Sequence, residues 1–175
     1  KITSMKQKFI NLYMDFADRV SQLSHASRLQ VGAVIVKDDT VISYGYNGMP
    51  AGWDNVCEDK IYPNQLAGDF DQHPEEFNLQ FPFKDINGMS YRLKTKPEVL
   101  HAERNALDKL AKKGNVGGEN AVMFLTHSPC IECAKSIYGA GIREVYYRNN
   151  YRSDEGTYFL KKCNIHIEQI SKINI

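Results

Sequence analysis

Two short clusters carry most of the chemistry that this chain could perform. One is His101-Ala102-Glu103; the other is Pro129-Cys130-Ile131-Glu132-Cys133. One neutral histidine nitrogen and two thiolates make a zinc ligand set. Three protein ligands leave one position open, the arrangement of a catalytic zinc rather than a closed structural one. Zinc lowers the pKa of a bound water toward about 7. A carboxylate close to that water can take its proton and pass it on, and Glu103 lies two residues after His101. The chemistry that follows is hydrolysis at an electrophilic carbon, with Glu103 as proton shuttle.

The combination carries this reading, not either half. A Cys-x-x-Cys pair alone is shared by redox centres and structural zinc sites, and a lone His-x-Glu fits a surface helix turn. A structural zinc would need a fourth protein ligand; Cys57, Cys163, His73, His127 and His166 leave that option open. Cys57 and Cys163 themselves read as a loop thiol and a small core residue. His25, His127 and His166 read as packing or surface residues. Glu103 is the discriminating residue, since a structural site has no use for it.

The elements that must position these residues come from periodicity and turn chemistry. Phe9, Leu12, Tyr13, Phe16, Val20 and Leu23 recur at helical spacing. Val31–Val36 and Val41–Tyr46 flank Lys37-Asp38-Asp39-Thr40 and predict a hairpin. Residues 53–96 mix aromatic, polar, proline and glycine positions without a period; a structureless loop this long is uncommon, so short elements or a functional flap are expected. Pro97 and Glu98 predict a helix over 98–113 with Leu100, Ala106, Leu107 and Leu110 in the core. Strands at 121–125, 144–147 and 165–168 then alternate with helices at 130–140 and 154–162. Both ligand clusters fall at helix starts, where unpaired N–H groups and the macrodipole lower a thiol pKa. The alternation predicts parallel crossovers, with helices on both faces of one sheet.

Composition sets the outer limits. At about 150 residues per domain, 175 residues imply one domain. A net charge of +1 gives no support to a protein that coats a polyanion. The 53–96 region holds Asp54, Glu58, Asp59, Asp69, Asp71, Glu75 and Glu76, which argues against a nucleic-acid groove there. No stretch reaches 18 apolar residues, so no membrane span is expected, and KITSMKQKFI lacks the features of a secretory leader. Four cysteines are too few for a disulfide scaffold.

The motif pair His-x-Glu and Pro-Cys-x-x-Cys resembles the zinc-dependent cytidine/deoxycytidylate deaminase superfamily. The match runs from His101-Ala102-Glu103 through Ala106-Leu107 to Pro129-Cys130, Cys133 and Ile137. Gln30-Val31-Gly32-Ala33, Gly45-Tyr46-Asn47-Gly48-Met49-Pro50, Lys96-Pro97-Glu98-Val99-Leu100 and Tyr151-Arg152-Ser153-Asp154-Glu155-Gly156 are similar to the dCMP deaminases, those of phages above all.

The resemblance implies a three-layer α/β/α sandwich with a five-stranded mixed sheet, a single domain over 1–175 with an insert at about 53–96. It implies zinc held by His101, Cys130 and Cys133, water attack at C4 of cytosine, and Glu103 protonating N3 and then helping ammonia leave. The product would be dUMP, a precursor for dTMP. Asn47 and Ala102 are the implied substrate contacts. A 5′-phosphate needs a basic cradle, for which Arg28 and Arg152 are candidates, while Tyr151 could stack on the base or bond the phosphate. The family also implies a cytoplasmic homohexamer, activated by dCTP with Mg²⁺ and inhibited by dTTP, with Gly45, Tyr46 and Gly48 in its allosteric segment. One zinc per chain is expected; Cys57 and His73 make a poor second site. A deaminase of free cytidine, of guanine or of tRNA adenosine shares the motifs, and a non-catalytic zinc module is the reading from another class.

Overall fold

The computed structural model describes residues 5–65, 74–114 and 117–172. The chain forms α1 (Gln7–Ser21), β1 (Gly32–Lys37), β2 (Thr40–Tyr46), β3 (Glu58–Ile61), a short 3₁₀ turn (Pro63–Gln65), α2 (Pro74–Gln80), β4 (Phe83–Lys84) and β5 (Ser90–Thr95). Then follow α3 (Ala102–Lys112), β6 (Val122–His127), α4 (Ile131–Gly139), β7 (Glu144–Asn149), α5 (Glu155–Lys162) and β8 (His166–Gln169).

The main sheet has five strands in the order β2-β1-β6-β7-β8. It is mixed: β1 is antiparallel to β2 and β6, while β6, β7 and β8 run parallel. The β1–β2 hairpin turns at Asp38 and Asp39, whose φ values of 50° and 56° suit the primed turns that match strand twist. Strand alternation splits the core in two. Ala33, Ile35, Met123, Leu125 and Val145 face α3, α4 and α5. Val34, Val36, Phe124 and Tyr146 face α1. The result is the expected three-layer sandwich, with helices on both faces.

Three features are settled only by the fold. First, α1 buries Ile10, Tyr13, Met14, Ala17 and Val20. Leu12, Phe16 and Leu23, which share the helical spacing, are exposed. The apolar stripe is wide, and the sheet selects its neighbouring edge. Second, the helix expected from 98 begins at Ala102. Val99 N–H closes a turn on Lys96 C=O, and Leu100 pairs with Gly48 in an antiparallel bridge, N–H to C=O at 2.9 and 3.1 Å. Tertiary pairing thus consumes the segment that local helix signals favoured. Third, Leu100 is not a core residue; it is exposed.

The insert has order of its own. β3, β5 and β4 form a small antiparallel sheet in the order β3-β5-β4. Of the insert residues singled out above, Asp69, Asp71 and His73 lie outside the described residues.

Candidate active site

His101 and Cys130 occupy the N-cap positions of α3 and α4. Ser, Thr, Asp or Asn is usual there because the side chain caps a backbone N–H. Neither residue caps its helix; both are extended, with φ/ψ of −72°/151° and −68°/167°. Their side chains turn toward each other instead. His101 Nδ1 lies 3.6 Å from Cys130 Sγ and 3.4 Å from Cys133 Sγ. Tetrahedral zinc with ordinary Zn–N and Zn–S bond lengths would hold nitrogen and sulfur about 3.6 Å apart. The donor set therefore fits zinc. Its ligand atoms all lie within 4.8 Å of one another, and no fourth His, Cys, Asp or Glu joins them among the described residues.

The other ligand candidates among the described residues are engaged elsewhere. Cys57 packs with Ala26 and Val99. Cys163 packs against the core under α3, α4 and α5. His166 pairs with Glu168, and His127 Nδ1 with Thr126 Oγ1. All four cysteines are free thiols.

The site's electrostatics suit a metal. Cys130 is driven down to about 3, first by its hydrogen bond from the Cys133 thiol and then by that from His101. Cys133 is pushed up by the same bond and by burial. His101 is raised, chiefly by its bond to Cys130. Glu103, in the first turn of α3, is 5 % exposed, and burial raises its carboxyl above the usual range. Its carboxylate also meets Cys133. The arrangement is a soft His/Cys/Cys donor set, with Cys130 driven to the thiolate and a proton-holding carboxyl beside it.

Several residues fix this geometry. A Cβ on Gly45 would sit 2.4 Å from Ala102 O and 2.5 Å from Ala106 N, so only glycine lets β2 approach α3 this closely. Asn105 Nδ2 donates to Tyr46 O at 2.9 Å. With the Gly48–Leu100 bridge, residues 45–48 hold the approach to His101. Gly45, Tyr46 and Gly48, expected in an allosteric segment, thus have a packing role of their own. Asn47 clamps the preceding loop: its Oδ1 accepts from Val31 N–H and its Nδ2 donates to Leu29 C=O, both at 2.8 Å. On the far side, a Cβ on Gly156 would lie 2.0 Å from Pro129 O, so α5 presses directly on the Cys130 loop.

A cavity of about 870 Å³ opens over the cluster. His101, Ala102, Glu103 and Cys130 line it, as do Arg28, Asn47, Tyr151 and Arg152. Residues from five separate segments therefore share one pocket. The Arg152 guanidinium lies over the Tyr151 ring at 5.3 Å. Gly45, Tyr46 and Gly48 do not line the cavity. The sequence reading missed Glu58, Lys94 and Thr95, which the insert places on the wall. It also missed Ser128, a buried hydroxyl that accepts from Tyr151 N–H at 2.7 Å and couples the two loops. No pattern in the sequence marks them; only the fold brings them to the pocket.

Fold and ligand set together define a zinc deaminase. Residues 6–149 match the cytidine and deoxycytidylate deaminase zinc-binding region, and the chain belongs to that family. The deoxycytidylate deaminase of Enterobacteria phage T4 is 32% identical over 175 residues, covering 93% of this chain and 90% of the relative. The human deoxycytidylate deaminase is 32% identical over 148 residues, covering 83% of this chain and 68% of the relative. Among solved structures, the dCMP deaminase of cyanophage S-TIM5 in complex with dCMP and dUMP is similar over 95% of this chain and 99% of that one. Its identity is 34% and its TM-score 0.71.

Proposed function

We propose that the protein is a dCMP deaminase, converting dCMP and water to dUMP and ammonia. The observation that carries this is the buried Glu103 beside the His101–Cys130–Cys133 cluster, on a cavity whose walls carry Arg28, Lys94 and Arg152. The near full-length likeness to enzymes named as dCMP deaminases supports the choice of substrate.

In this reading His101, Cys130 and Cys133 hold zinc. Bound there, zinc supplies the Lewis acidity that makes water a nucleophile near neutral pH. Glu103 takes the proton from that water and delivers it to N3 of the cytosine ring as C4 is attacked. It then carries a proton to the departing amino group. Arg28, Arg152 and Lys94 attract the 5′-phosphate, for which guanidinium groups offer paired donors. Tyr151 offers a ring face to the base. Ala102 lies fully buried on the cavity wall beside His101. Asn47 keeps the 29–31 loop in place and has one amide hydrogen and one lone pair left for the sugar.

The finer parts of the reading rest on family resemblance: a cytoplasmic homohexamer, built from single-domain chains, activated by dCTP with Mg²⁺ and inhibited by dTTP. The free thiols fit a reducing compartment. Ammonia release from dCMP, CMP, deoxycytidine and adenosine, each with and without dCTP plus Mg²⁺, tests both levels. Turnover of dCMP well above the others is the expected result, and stimulation by dCTP supports the regulation. Turnover of a nucleoside in preference to dCMP, or no turnover with zinc bound, would overturn the substrate assignment.

A further inference from the structure

Glu58 is an unexpected residue on a wall that receives an anion. It is 8 % exposed, stands at the start of β3 in the insert, and lines the same cavity as Arg28 and Lys94. A buried carboxylate is tolerated only where its oxygens are hydrogen-bonded. Glu58 makes no ion pair among the described residues. Its partners are backbone amides about thirty residues earlier in the chain. Ser27 N–H donates to both oxygens at 3.1 and 3.2 Å, and Arg28 N–H donates to Oε1 at 3.1 Å.

Strand register supplies the other half. Glu58 lies directly opposite Thr95 in the β3–β5 pair. Thr95 Oγ1 accepts from Arg28 Nη1 at 3.1 Å. One cross-strand pair thus grips Arg28 at both ends, its backbone through Glu58 and its guanidinium through Thr95. Glu58 meets the Arg28 backbone and not its guanidinium, which makes no ion pair among the described residues. Four of the five N–H donors of that guanidinium are not used by Thr95.

We infer that Glu58 is a positioning residue for recognition of the substrate phosphate, acting through Arg28, and that the insert is the element that selects a phosphorylated substrate. This rests on the dCMP reading above. Replacing Glu58 with glutamine leaves one acceptor oxygen for the Ser27 and Arg28 amides and puts an NH₂ group in place of Oε2, facing the Ser27 N–H that donates there at 3.2 Å, so the loop that carries Arg28 shifts.

The test is a double-mutant cycle on the zinc-loaded enzyme, with dCMP as substrate, using Glu58→Gln, Arg28→Ala and the two combined. Glu58→Gln is expected to raise KM about tenfold, with the loss in KM rather than kcat. Because Glu58 acts through Arg28, the double variant should show no higher KM than Arg28→Ala alone. Zinc content and a thermal melt confirm that each variant is folded. Should Glu58→Gln not fold, Glu58→Asp keeps the charge but shortens its reach and takes its place in the cycle. An unchanged KM for the Glu58 variant, or KM penalties that multiply in the double variant, would overturn the inference. Failure of the dCMP reading looks different: the unmodified enzyme itself then turns over a nucleoside in preference to dCMP, or releases no ammonia.

Discussion

At the scale of single residues, the proposed site divides its labour between groups that would hold zinc and one that would move protons. His101, Cys130 and Cys133 converge through side chains freed from capping their own helices. Glu103 is buried beside them without belonging to the ligand set. Glutamine at position 103 keeps the shape and removes the proton-carrying group. Glu103→Gln is therefore expected to lower kcat by at least about 10³-fold, near the upper range for a lost general acid–base. Zinc content, read by atomic absorption, should remain at one equivalent. Activity close to that of the unmodified enzyme would remove Glu103 from the mechanism. The ligands and this carboxylate were all legible in the sequence, because their spacing is local: one residue separates His101 from Glu103, and two separate Cys130 from Cys133. Glu58, Lys94 and Thr95 were not, because what makes them relevant is their placement on a wall by strand pairing.

At the scale of elements, close approach between backbones sets the site's geometry. Gly45→Ala puts a methyl group 2.4 Å from Ala102 O, a backbone atom that cannot swing away. β2 and α3 must then separate. The expected loss of stability is about 1–3 kcal/mol, as for overpacked cores, read as a lower urea midpoint. Gly156→Ala acts on the other ligand helix, since its Cβ would fall 2.0 Å from Pro129 O and 2.9 Å from Cys130. Displacing the Cys130 loop should loosen zinc, so this variant is expected to lose metal to a competing chelator faster than the unmodified protein. Equal rates of loss would show that the loop absorbs the methyl group without moving its thiol. Two helices illustrate what this scale decides. Periodicity identified α1 as a helix but not which edge of its apolar stripe is buried, since that depends on where the sheet lies. Pro97 and Glu98 are good helix starters, yet the Gly48–Leu100 bridge holds that stretch extended and delays α3 to Ala102.

Across the whole molecule, α1 and the far strands are joined by one buried cation. Arg148 on β7, only 4% exposed, reaches Asp15 at 2.7 Å and Asp18 at 3.2 Å on α1. It also donates to the carbonyls of Ile170 and Ser171 after β8, at 3.4 and 3.1 Å. Charge-assisted hydrogen bonds of this kind are worth about 1.5–3 kcal/mol each in favourable cases. Asp15 is mostly exposed, so the lower end applies to it. Arg148→Met is expected to lower stability by about 2 kcal/mol, with zinc content unchanged, because the network lies on the α1 face of the sheet. A shifted urea midpoint with an unchanged slope would identify the loss as one of stability alone.

The sequence by itself determined the proposed ligand set and proton shuttle, the hairpin, and the alternation of helices and strands that makes a three-layer sandwich. Each depends on residues within a few positions of one another, where period, turn preference and metal-ligand spacing act directly. Tertiary structure alone decided which edge of α1 is buried, where α3 begins, and how the insert folds back. It also decided that Glu58 and Thr95 hold Arg28 on the wall of the cavity that opens at His101 and Cys130. Those outcomes depend on contacts between segments distant in the chain, which the packing of the whole domain selects and no local pattern records.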